Sequence, residues 1–228
     1  MAASACEDVA FIIPISGPGV TPGEQEVYRV EAETKAAGFG EDAVAKAVLM
    51  RRLMLDTVLA EPKYEALDRS EAQRLGGEPW TGAAELIYSE EPISPGDQLE
   101  KVIEVIQAVK GEPWTEFLYL DQILAMFESL SPEAWEGAKA QMRAVMVLDP
   151  ADFLTKVHCP VLAIFGSDDT SLPVERSVAL YKQYLDQVGN EAVTIEVIPK
   201  ADHTIHIGDE YAPGYFDLLR TWLGNLPA

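Results

Sequence analysis

"CPVLAIFGSDDTSLP", residues 159–173, decides how the rest of the chain is read. Its first half is apolar without alternation, which fits a strand buried on both faces rather than one with a wet side. "GSDD" then breaks the run with turn-forming residues. Downstream, "VERSVALYKQYLDQVG" (174–189) reads as an amphipathic helix ended by Gly189, "AVTIEVIP" (192–199) as a second strand, and "EYAPGYFDLLRTWLGNL" (210–226) as a closing helix. Strand, helix, strand, helix implies parallel strands joined by right-handed crossovers. Upstream, "VAFIIPI" (9–15), closed by "SGPG", is a further strand candidate. The fold class expected is α/β, with a sheet of about three parallel strands.

Between these ends the period is helical. Thr21, Pro22 and Glu24 are placed as an N-cap, a first helical residue and the third-position partner of a capping box. Ser94-Pro95 and Ser131-Pro132 mark further helix starts. In 41–60, Val44, Ala47, Val48, Leu55, Val58 and Leu59 recur at three- and four-residue steps and make an apolar stripe. "GEPWT" occurs at 77–81 and again at 111–115, but the echo fades after five residues and reads as two helix starts with an inward Trp. The domain division expected is therefore 1–20 with 149–228 as an α/β core, and 21–148 as a helical insertion without strands.

Composition limits the function. The 228 residues are 48% hydrophobic and 24% charged, as in a globular protein. A net charge of −21, from 38 acidic and 17 basic side chains, repels phosphate backbones and anionic lipid, so nucleic acid and membrane are not expected partners. The two cysteines, Cys6 and Cys159, are too few for a disulfide framework and are read as reduced thiols. With no apolar run near the ~20 residues of a membrane span, the expectation is a cytoplasmic chain.

In a parallel sheet, functional residues gather in the loops after the strands' carboxyl ends. "GSDDTSLP" follows the strand 161–165 and "KADHTIH" follows the strand 193–198, so Asp169 and His203 would meet at one rim. A carboxylate there can hold an imidazole in one tautomer and stabilise its protonated form. Asp168 competes with Asp169 for that role. Asp202, His203 and His206 are metal ligands by residue type, but three-residue spacing on an irregular loop argues against a metal. His158 is read as a surface loop residue.

The pattern L-x-x-V-x-C-P-V-L-A-I-F-G-S-D-D-x-x-L-P (154–173), with "ADH" at 201–203 and a closing amphipathic helix, resembles the C-terminal part of an α/β-hydrolase. It is most like the bacterial esterase and peptidase-like members that carry a helical lid. The resemblance implies Asp169 as the triad acid, in preference to Asp168, and His203 as the base. It further implies residues 21–148 as a lid or cap, a small ester or amide substrate, and no cofactor. "FIIPISGPG" is similar to the strand and loop that follow the nucleophile helix in that family.

The nucleophile is the departure. The family carries its serine in a G-x-S-x-G elbow between strand and helix, and no G-x-S-x-G occurs in this sequence. The expectation is that nucleophile and oxyanion loop lie upstream of Met1. Ser16 lacks the flanking pair of glycines that an elbow requires and reads as a turn residue, Ser4 is too near the terminus, and Cys159 stands at the wrong end of its strand. Two functions follow: a serine hydrolase whose nucleophile-bearing part is not in this chain, or a non-catalytic remnant used for binding or assembly. Both leave the 9–15 edge open to a second copy or a complementary fragment.

Overall fold

The computed structural model describes residues 2–5, 8–59 and 93–226. Cys6 and the first "GEPWT" lie outside them. The chain divides into two compact units, Met1–Arg29 with Leu148–Ala228, and Val30–Val147.

The first unit is built on β1 (Val161–Gly166), every residue of which is buried. It pairs in parallel with β2 (Val193–Ile198), in a register running from Val161↔Val193 to Gly166↔Ile198. Both faces of β1 are covered because its two residue sets are both apolar. Val161, Ala163 and Phe165 join Leu154 of the short helix α6 (Ala151–Leu154), Leu172 and the inner side of helix α7 (Val174–Gln187), whereas Leu162 and Ile164 join Ala201, Ile205 and helix α8 (Tyr215–Gly224). Burying each of these large side chains is worth ~1.5–3 kcal/mol, so β1 is the anchor of the unit. Helix α7 ends where expected. Gly189 takes φ +69° while its N–H and that of Asn190 bond back to Asp186 and Leu185.

Two expectations need correction. The parallel sheet has two strands, and the third candidate contributes only isolated parallel bridges at Ile12↔Val161 and Ile15↔Ile164. The ladder is carried by Ile12 N–H to Pro160 O, Leu162 N–H to Ile12 O, Ile164 N–H to Pro14 O and Ser16 N–H to Ile164 O, all at 2.8–3.0 Å. Between the two bridges Pro14 has no N–H to give, which interrupts the strand. The closing helix begins at Tyr215, not at residue 210. Residues 206–211 instead make a small antiparallel pair, β3 (His206–Ile207) and β4 (Glu210–Tyr211), turned by Gly208 at φ +67°.

The second unit is helical: the C-terminal part of α1 (Pro22–Ala36), then α2 (Glu41–Leu59), α3 (Pro95–Val109), a 3-10 turn Pro113–Leu118, α4 (Leu120–Glu128) and α5 (Pro132–Met146). No strand occurs among its described residues. Each start identified in the sequence is capped. Thr21 and Glu24 exchange bonds of 3.0 and 3.3 Å, Ser94 Oγ accepts from Asp97 N–H, and Ser131 Oγ accepts from Ala134 N–H. The stripe of α2 is wider than expected, since Leu49, Met50 and Leu53 are buried while Val48 is only half-buried. Trp114 of the second "GEPWT" is buried, as its reading requires. Among the described residues, no helix is long and apolar enough to cross a membrane.

Candidate functional site

At Gly166, the last residue of β1, a side chain cannot fit. A Cβ would stand 2.3 Å from the carbonyl oxygens of both Ala201 and Asp202. The loop after β2 is therefore laid directly over the end of β1. Ser167 N–H bonds Ile198 O, Asp168 N–H bonds Ala201 O, and Lys200 N–H bonds Ser167 Oγ at 2.7 Å. This stitching brings the residues that follow the two strands together.

Asp169 and His203 meet: His203 Nδ1 lies 2.9 Å from Asp169 Oδ2. The Asp169 side chain is 0% exposed and that of His203 is 43% exposed. The other carboxylate oxygen, Oδ1, accepts the backbone N–H groups of Ser171 (2.7 Å) and Leu172 (3.2 Å). Both oxygens are thus engaged, as a buried carboxylate requires. A carboxylate only accepts, so Nδ1 carries the proton of the neutral imidazole and the lone pair is left on Nε2. The geometry pairs His203 with Asp169 and not with Asp168, which is exposed and accepts from its neighbour Ser167 Oγ at 2.8 Å.

The His203 loop has its own brace. Asp202 Oδ1 accepts from Thr204 N–H, Thr204 Oγ1 and His206 N–H at 2.8–2.9 Å. The backbone N–H of His206 chiefly holds the Asp202 carboxyl below its ordinary value, against the opposing effect of desolvation, with Thr204 and the His206 ring adding to the lowering. Two residues of the loop take left-handed backbone, Lys200 (φ +63°) and the fully buried, β-branched Ile205 (φ +62°). A β-branched residue there costs of order 1–3 kcal/mol, and such strain collects at functional sites. Ser16, also left-handed at φ +47° and 5% exposed, donates its hydroxyl to the carbonyl of His203 at 2.7 Å.

The remaining candidates are placed elsewhere. His206 turns to Thr204 and stacks on Tyr211, with ring centroids 4.1 Å apart, so it does not converge with His203. Among the described residues no group of three His, Cys, Asp or Glu side chains is arranged to hold a metal. Ser4 lines a cleft with His158, Cys159 and Pro160 at the entry of β1, the end opposite His203. Burial pushes the Cys159 thiol up, which opposes thiolate formation. The sequence reading missed the Ser16 contact, the Asp202 brace and the steric demand at Gly166. Only the brace had a local signal, an Asp two residues before a Thr.

Comparison with known proteins gives a coarse agreement. A stretch of 68 residues, 30% of this chain, is 38% identical to the "Putative carboxymethylenebutenolidase" of Salmonella typhimurium. The protein of the same name in Salmonella typhi is 37% identical over 68 residues. The chain spans about a quarter of these relatives' length, 24% in each. No protein-family model matches the chain, and no solved structure matches it.

Proposed function

We propose that this chain carries the acid and base of a serine hydrolase of the α/β-hydrolase type, acting on carboxylic esters or small peptide-like amides. The observation that carries the reading is the buried Asp169 carboxylate fixed on both oxygens and paired through one of them with a half-exposed His203. His203 Nε2 takes the proton of a serine hydroxyl as its oxygen attacks the acyl carbon, and returns that proton to the leaving alkoxide or amine. Water, deprotonated by the same nitrogen, then releases the acid and restores the serine. Asp169 holds the ring and stabilises the transient imidazolium without itself being protonated. The relatives' name denotes action on a butenolide, a cyclic ester, which supports an ester substrate.

On this reading the serine is supplied by other polypeptide: no G-x-S-x-G occurs in these 228 residues, Ser4 lies at the far end of β1, and Ser16 aims its proton at a carbonyl. The 12–16 segment gives that polypeptide a place to pair. The backbone of Ile12, Pro14 and Ser16 faces β1, so that of Phe11, Ile13 and Ile15 faces outward, and Phe11 and Ile15 are 37% and 45% exposed. This edge carries no charge to guard it. A non-catalytic binding module is the other reading, favoured by the missing G-x-S-x-G.

A carboxyl-terminal tag on the chain in its native host, followed by a fluorophosphonate probe, separates the two. We expect a labelled serine in the captured material and its loss in His203→Ala. No labelling, or labelling indifferent to His203→Ala, would support the binding module. The 228-residue chain by itself is expected to label no serine.

A further inference from the structure

We infer that Ser16 is a positioning residue for His203: its hydroxyl fixes the backbone that carries the imidazole, and its left-handed conformation exists to aim that hydroxyl. The inference rests on the reading of His203 as a base.

Ser16 is held from both sides. Its N–H bonds Ile164 O at 2.8 Å on the central strand, and its Oγ bonds His203 O at 2.7 Å. The loop that follows is clamped on α7. Gly19 N–H bonds the fully buried Ser177 Oγ at 3.2 Å, and a Cβ at Gly19 would come within 2.8 Å of the Ser177 backbone. The backbone at Ser16 is thereby held between β1 on one side and, through Gly19, α7 on the other. Serine has no intrinsic reason to take φ +47°, where glycine or asparagine would be easier. A side chain that accepts this cost while buried must be gaining something, and the His203 carbonyl is what its hydroxyl reaches. The path then runs β1, Ser16, His203 backbone, imidazole, Asp169. It fixes the ring at the peptide end while Asp169 fixes it at Nδ1, which is the double restraint a base needs to keep Nε2 on target.

Two substitutions separate aim from strain. Ser16→Gly removes the hydroxyl and the conformational cost together, so the protein should melt no lower than the unaltered chain. Ser16→Ala removes the hydroxyl alone. The readout is solvent exchange of the His203 Nδ1 proton in the isotopically labelled chain, followed by nuclear magnetic resonance. Both variants should exchange that proton about tenfold faster, the scale of one lost hydrogen bond. Gln98→Ala, which weakens the helical unit, should leave the exchange rate unchanged. Wild-type exchange in both Ser16 variants, or no protected Nδ1 proton in the unaltered chain, would overturn the inference. Failure of the hydrolase reading shows instead in the probe experiment, which does not read this proton.

Discussion

Both units bury polar groups, and they use them differently. In the helical unit, Gln98 Oε1 accepts from Trp135 Nε1 at 3.2 Å and from Lys139 Nζ, while Lys139 Nζ also pairs with Glu136 at 2.6 Å and sits 5.4 Å over the Trp135 ring. All four residues stand on regular helix, α3 or α5, and the group closes on itself. In the α/β unit the corresponding group, Asp169 with His203, stands on two loops; the His203 side chain is half-exposed and, among the described residues, its Nε2 makes no hydrogen bond. Ser16, Lys200 and Ile205, around that loop, are left-handed. Among the described residues of the helical unit, Tyr119 alone of the non-glycine residues is left-handed, and it joins a 3-10 turn to α4. A polar group that only braces a fold can be built on unstrained helix. One that must present an atom outward needs loops forced into place, and the strain marks where.

The comparison breaks most visibly at two glycines. Gly166→Ala drives a Cβ into two carbonyl oxygens and should destabilise the α/β unit by about 3 kcal/mol, measured by urea unfolding, with loss of the Asp169–His203 pair. Gly137→Ala, on an exposed turn of α5 with nothing within 4 Å of the new Cβ, should stabilise by up to about 1 kcal/mol. Equal effects at the two sites would erase the distinction. Gln98→Ala leaves two donors short of an acceptor and should cost about 2 kcal/mol, with the His203 resonances unmoved.

A smaller effect sharpens the contrast by pH. The Asp202 carboxyl is depressed, so the brace on the His203 loop is fully present above the ordinary aspartate value and is lost as pH falls through its lower folded value. Amide exchange of Thr204 and His206 should therefore stay protected at pH 5 and speed up only below about pH 4. Exchange that rises already between pH 7 and 5 would point to another group. Asp202→Asn should shift this acid limb or abolish it.

Much of this was legible in the sequence where the signal is local. The apolar run of β1, the helix starts at Thr21, Ser94 and Ser131, and the stop at Gly189 are each written in residues within a few positions of one another. The Asp169–His203 meeting was readable because both follow strands of one parallel pair. What the sequence hid depends on tertiary contact or on a local conflict. Pro14 interrupts a segment whose composition favours a strand. Gly208 turns a short hairpin whose second strand, Glu210–Tyr211, takes the first two residues of the stretch read as the closing helix. Ser16 looks like a loop serine until the loop from residue 203 is laid beside it.

The most direct measurement of the central claim is turnover of a small ester by the tagged, natively captured material carrying Asp169→Asn. Asparagine keeps an oxygen for the Ser171 and Leu172 amides but turns an N–H toward His203 Nδ1, which forces the proton onto Nε2. The account predicts an unchanged melting temperature and a turnover number lower by about 10³-fold or more. Turnover within about tenfold of the unaltered protein would mean that Asp169 and His203 are not a working pair.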